Sequence, residues 1–150
     1  MIKYLLLILT IIGTTNLFAQ ENYSDTTFII NKQTFRIQTK AINPDHLILT
    51  ILRDSKTIQF DTIDAGGFSN LEFLDFDKDG NMDIMIPYMG NNVIAYLYQF
   101  DKITNTFKIV DGFERFPEAI QLKSNPKLYY SYHRAGCADM NWISDLFYID

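Results

Sequence analysis

One cysteine, one tryptophan and two histidines are all that 150 residues contain of those types, and the scarcity removes whole classes of function. A structural zinc site takes four nitrogen or sulfur ligands, more than this chain offers at any spacing. His133 and Cys137 lie four residues apart, but a cysteine nucleophile also needs an oriented base and a reducing setting, and neither is visible. Positive charge is short as well: 13 lysines and arginines face 18 acids, for a net charge of −5. That leaves no electrostatic footprint for nucleic acid and no basic amphipathic stretch for a membrane surface. Acidity of this size can favour a basic partner, and it equally serves solubility. No Ser-His-Asp elbow, phosphate-cradling glycine loop or dinucleotide fingerprint occurs. No low-complexity tract or linker divides the chain.

What the chain does have begins at its N-terminus. Lys3 precedes an almost purely apolar run over 4–12, and small residues lead to Ala19. A charged start, a short apolar stretch and a small-residue cut describe a secretory signal over 1–19. The run falls far short of the ~20 residues of a membrane-spanning helix. The expected location is periplasmic or secreted, with no membrane insertion once the signal is cleaved. The remaining ~130 residues, 20–150, make one domain by the usual prior of ~100–200 residues.

Within that domain, apolar and β-branched runs recur at roughly ten-residue intervals with turn residues between them. Residues 26–30, 34–39, 46–52, 57–63, 71–74, 84–86, 93–100, 107–110 and 128–132 read as strands. Pro87 reads as the stop of its run, and 116–122 as the one place for a short helical turn. The expected fold class is all-β, an antiparallel sheet assembled as a sandwich, barrel or propeller-like unit.

The most specific signal is Asp75-Phe76-Asp77-Lys78-Asp79-Gly80-Asn81-Met82-Asp83. Calcium takes six to eight oxygen ligands, and acids at alternate positions on a curling backbone supply them. An EF-hand would place a glutamate at the twelfth loop position, where this chain has Ile86. The flanks read as strands, so the site is strand–loop–strand. Asp75, Asp77, Asp79 and Asp83 are the expected side-chain ligands, with the Asn81 carbonyl and water completing the shell around Ca2+. The alternative is a turn rich in Asp and Gly that binds nothing, although four acids this close repel one another without a cation.

Residues 142–149 read as the beginning of a further strand, after which the sequence stops. Cys137 is an odd thiol in an exported chain. Both features fit a domain lacking its C-terminal strands, with the disulfide partner of Cys137 in the absent segment; a terminal strand and a buried free cysteine are the alternative.

The loop at 75–83 resembles the Asp-rich calcium loop of integrin-type FG-GAP and VCBS repeats. One copy in this length rules out a full seven-bladed propeller. From Leu71 onward a narrower likeness appears: the calcium hairpin, the Tyr96-Leu97-Tyr98 strand, the hairpin from Asp101 to Phe107, then Ser131-Tyr132-His133-Arg134-Ala135-Gly136. This order resembles small periplasmic immunity proteins that protect bacteria from interbacterial peptidoglycan hydrolases, themselves similar to periplasmic lysozyme inhibitors. The likeness implies a non-enzymatic protein-binding domain whose surface loop plugs the hydrolase cleft. Ser131, Tyr132, His133 and Arg134 are then the expected partner-binding residues, with a peptidoglycan hydrolase as the protein partner.

Other readings of the same residues stand beside these. Arg134 suits a cleft lined by two acids because its fork bonds carboxylates bidentately; it equally suits an internal pair with Asp139 or Asp145. Asp139 and Asp145 flanking Trp142 would fit a small glycan hydrolase, while Trp142 as core with capping acids is the plainer reading. A VCBS-type surface binding or adhesion module remains the second functional expectation.

Overall fold

The computed structural model describes residues 23–66, 68, 70–89, 92–136 and 141–149. The expected signal over 1–19, Cys137, Asp139 and the final residue Asp150 lie outside them. Among the described residues the chain is all-β and contains no α-helix.

Four strands form the first sheet as a meander: β1 (Tyr23–Ile30), β2 (Gln33–Asn43), β3 (His46–Arg53) and β4 (Lys56–Asp64), hydrogen-bonded in that order. Two of its turns are two-residue connections with both residues at positive φ: Asn31 and Lys32 at 51° and 64°, Asp54 and Ser55 at 47° and 68°. That geometry matches the right-handed twist of the flanking strands. No glycine is used, so local bonds offset the strain: Asp54 Oδ1 accepts from the Thr34 amide at 3.0 Å, and the Asp54 amide donates to the Thr34 carbonyl at 2.8 Å. At the third turn, Asn43 Oδ1 accepts from the Asp45 and His46 amides, both at 2.9 Å, as a turn-forming asparagine does.

The second sheet contains β5 (Glu72–Leu74), β6 (Asp83–Met89), β7 (Val93–Asp101) and β8 (Thr106–Ile109), again in sequence order. Contrary to expectation, β6 runs through Pro87 and does not stop there. β5 pairs only with residues 83–85, so among the described residues one side of β6 has no strand neighbour beyond Met85. A residue without an N–H is tolerated in such an edge stretch.

A 3₁₀ turn at Phe113–Arg115 then leads to a third sheet with the order β11-β10-β9. Its strands are β9 (Ile120–Gln121), β10 (Tyr129–Arg134) and β11 (Trp142–Phe147). The helical turn expected over 116–122 therefore lies earlier, and part of that segment is strand.

The sheets stack face to face without closing into a barrel, a sandwich-like arrangement with the second sheet in the middle. Ile84, Ile86, Tyr98 and Phe100 turn toward the first sheet and meet Phe35, Ile37, Leu49 and Ile51, all buried. Ala95 and Leu97, one residue out of phase, turn the other way and meet Phe113, Ala119 and Tyr129. Strand periodicity of two sends alternate side chains to opposite faces, so β7 is buried on both and serves two cores. Phe35 is fully buried, with its ring 5.5 Å from Phe100 and 5.7 Å from Phe107, both edge-on.

Candidate metal centre

The acidic loop connects β5 to β6, the strand–loop–strand arrangement expected of it. Its shape depends on two residues in the left-handed region, Lys78 at φ 62° and Gly80 at φ 90°. A Cβ on Gly80 would touch nothing, so glycine is favoured there by backbone conformation and not by space. Between the acids, Phe76 points inward, stacked on Tyr129 at 5.1 Å and edge-on to Phe113 at 5.2 Å. Phe76 thus anchors the loop in the core between the second and third sheets.

Asp75, Asp77 and Asp83 converge: each offers an oxygen, and the three oxygens lie within 4.8 Å of one another. This group can hold a metal ion. Asp75 Oδ2 accepts from the Gly80 amide at 3.1 Å, while its Oδ1 is buried without any hydrogen-bond partner. Asp77 Oδ1 accepts from the Asp79 amide at 3.0 Å, and Gln99 Nε2 approaches its Oδ2 at 3.4 Å. From the third sheet, Gln121 Nε2 donates to the Asp77 carbonyl at 2.9 Å, clasping the loop from outside. A buried acceptor left unsatisfied on a side chain that converges with two further carboxylates fits a cation, since such an oxygen is costly and a metal satisfies it.

Asp83 has a second task that the sequence pattern does not announce. It is 1% exposed, and its two oxygens accept from the Phe76 and Phe100 amides, both at 2.9 Å. One carboxylate therefore ties the loop to β7. Each oxygen keeps a further lone pair for a metal. Asp79 is not one of the converging carboxylates. Asn81 Nδ2 donates to Asp79 at 2.8 and 2.9 Å, and Lys102 lies 3.7 Å from the same carboxylate.

Burial, opposed by the two amide bonds and reinforced by Asp77 and Asp79, pushes Asp83 up to about 6; burial likewise raises Asp77. A raised acid binds its proton more tightly when folded than when unfolded. In the metal-free protein this contribution is full below about pH 4 and is lost as pH rises to about 6. Asp101 moves the other way: a bond from the Lys108 ammonium holds it well below the usual range. Its contribution is lost only in acid below that window. Urea unfolding in a chelator is expected to show stability declining between about pH 4 and 6 and levelling above. A rise across that window would overturn the assignment of Asp83 as a strained buried acid.

The four residues expected at the partner surface are divided by the strand. They lie on β10 itself, not in a loop, and successive side chains face opposite ways. Ser131 is fully buried and its hydroxyl donates to the Pro117 carbonyl, so it cannot form part of an exposed plug. His133 turns inward too, with Nε2 3.5 Å from Asp145. Only Tyr132 and Arg134 are exposed. Trp142, read from sequence as core, is 52% exposed on β11. It stacks on Tyr132 at 4.9 Å with planes 16° apart, and the Arg134 guanidinium lies 5.8 Å from its ring centre. Asp145 pairs opposite Ser131 on the inner face, which is why Arg134 meets the tryptophan and not that acid.

No known protein family, characterised protein or solved structure matches the chain.

Proposed function

We propose that this protein is an exported, non-enzymatic binding domain, stabilised by calcium at residues 75–83, that inhibits a peptidoglycan hydrolase as an immunity or lysozyme-inhibitor-like protein does. The observation that carries the binding half is the solvent-facing ladder of Tyr132, Trp142 and Arg134. Tryptophan, tyrosine and arginine dominate binding energy at protein interfaces, because each joins a large apolar surface to a polar handle. Here they stand on paired strands, so little freedom is lost when a partner arrives. The guanidinium suits the two acids that line a glycan hydrolase cleft. The metal reading is supported by the orphaned Asp75 oxygen, and six or more oxygens from carboxylates, carbonyls and water describe calcium.

The test is inhibition of a muramidase or related peptidoglycan hydrolase by the purified protein. Replacing both exposed residues, Tyr132→Ala with Arg134→Ala, is expected to weaken inhibition at least about tenfold while lowering the unfolding midpoint by only a few degrees, the loss of one cross-strand stack. Inhibition indifferent to that pair would sink the proposed surface. Absence of inhibition together with retention on insoluble glycan would favour the VCBS-type surface-binding reading.

A further inference from the structure

A second site lies on the opposite side of the middle sheet, where the edge strand β4 overhangs β7. Side chains of β2 and β3 that turn toward the second sheet are mostly apolar: Phe35, Ile37, Leu47, Leu49 and Ile51. On β4 the same inward positions change character. Asp61 pairs opposite Leu49 and Gln59 opposite Ile51, so both face inward between Ile63 and, at the bulge, Ile58, which keep the apolar pattern. Beneath them, Tyr96, Tyr98 and Ile109 present a matching face from β7 and β8. Between these surfaces opens a cleft of about 430 Å³, within the range of small-ligand sites.

Its polar groups are held in place in advance. Gln59 Nε2 donates to Asp61 Oδ2 at 2.7 Å, and the buried Tyr98 hydroxyl bonds the same carboxylate. Tyr96 stacks on Tyr88 at 5.2 Å with planes 16° apart, so its ring is fixed. Asp64, one residue out of phase with Asp61 and Ile63, closes the rim while its exposed carboxylate pairs with His46 at 3.0 Å. No lysine or arginine is among the described residues that line the cleft. Lys108 is on the other face of β8, opposite Gln99.

We propose that this cleft binds the cationic end of a basic side chain, an arginine guanidinium or a lysine ammonium presented by a partner. The Asp61 carboxylate supplies the charge-assisted acceptor, and the fixed tyrosine ring supplies a face for the cation. Ile109, 44% exposed, offers the apolar surface that a basic side chain's methylene stem covers. The site is independent of the aromatic ladder and of the metal loop.

The experiment is an NMR titration of the ¹⁵N-labelled protein at low salt with N-acetylarginine amide, N-acetyllysine amide and, as a neutral control, N-acetylglutamine amide. Shifts confined to 59–64 and 96–98 are expected with one or both basic probes and not with glutamine. Preference between them identifies guanidinium or ammonium as the ligand. Asp61→Asn retains the shape and an acceptor for Tyr98, and is expected to weaken binding about tenfold; Tyr96→Leu tests the ring without touching a charge and is expected to weaken it as well. Absence of shifts, shifts centred on the acidic loop at 75–83, or affinity unchanged in both variants would overturn the assignment.

Discussion

Asp83→Ala is expected to destabilise the protein by about 3–5 kcal/mol, in chelator as well as in calcium. The reason is the pair of amide bonds that no metal replaces. Removing the carboxylate leaves the Phe76 and Phe100 amides buried without acceptors, at roughly 1–3 kcal/mol for each orphaned donor. A domain of this size holds about 5–15 kcal/mol in all, so the loss is a large fraction of its stability. Thermal unfolding should fall by roughly 10–20 °C. Asp83→Asn keeps one acceptor oxygen and orphans one amide, and should lose about half as much. An Asp83→Ala protein within about 1 kcal/mol of the parent in chelator would mean that the two bonds contribute nothing net.

Calcium is expected to raise the unfolding midpoint by roughly 10 °C over chelator when its concentration is about 100 times the dissociation constant. A ligand bound only by the folded state adds about 2.7 kcal/mol at that ratio. The convergence of Asp75, Asp77 and Asp83 without Asp79 refines this into a comparison between variants. Asp77→Ala should abolish the response, whereas Asp79→Ala should retain most of it, because Asp79 is engaged with Asn81 and Lys102. If chelation leaves the parent's midpoint unmoved, the loop is a turn and not a metal site. Asp83→Ala is not a substitute for this experiment, since it removes a ligand and a structural bolt together.

The two results bear on different links of the same chain of causes. Carboxylate convergence in the loop concerns metal affinity; the bonds from Asp83 to Phe76 and Phe100 concern the docking of that loop onto β7. Gln121, reaching from β9 to the Asp77 carbonyl, extends the coupling to the third sheet. The exposed ladder stands on that sheet. Metal loss would therefore loosen the support of the proposed binding surface without touching its side chains.

Some of this was legible in the residue pattern and some was not, for identifiable reasons. Alternation over 34–39 and 57–63 marks half-buried strands, and both are strands. The middle strand β7 is less regular in sequence because each of its faces is buried against a different sheet, so hydrophobicity does not alternate cleanly. Pro87 was misleading because its neighbour β5 is only three residues long, information that lies in the pairing and not in the proline. The residue pattern alone puts Ser131 outside and Trp142 inside, the reverse of their places in the fold. A shift of one residue reverses every side chain of a strand, and nothing local says which face of β10 meets the core.

The local sequence was sufficient for the β class and for the acidic strand–loop–strand, because alternation, turn residues and ligand spacing are properties of neighbours along the chain. It also limited the chemistry: one cysteine and two histidines are too few for a structural zinc site with four nitrogen or sulfur ligands. Tertiary structure decided which acids converge, that Asp83 serves the backbone as well as the site, and that Tyr132, Arg134 and Trp142 share an exposed face. It alone brought Asp61 over Tyr98. The physical reason is register: which residues meet across sheets depends on strand pairing and stacking between distant segments, and these are settled by burial of the whole set, not by any stretch of it.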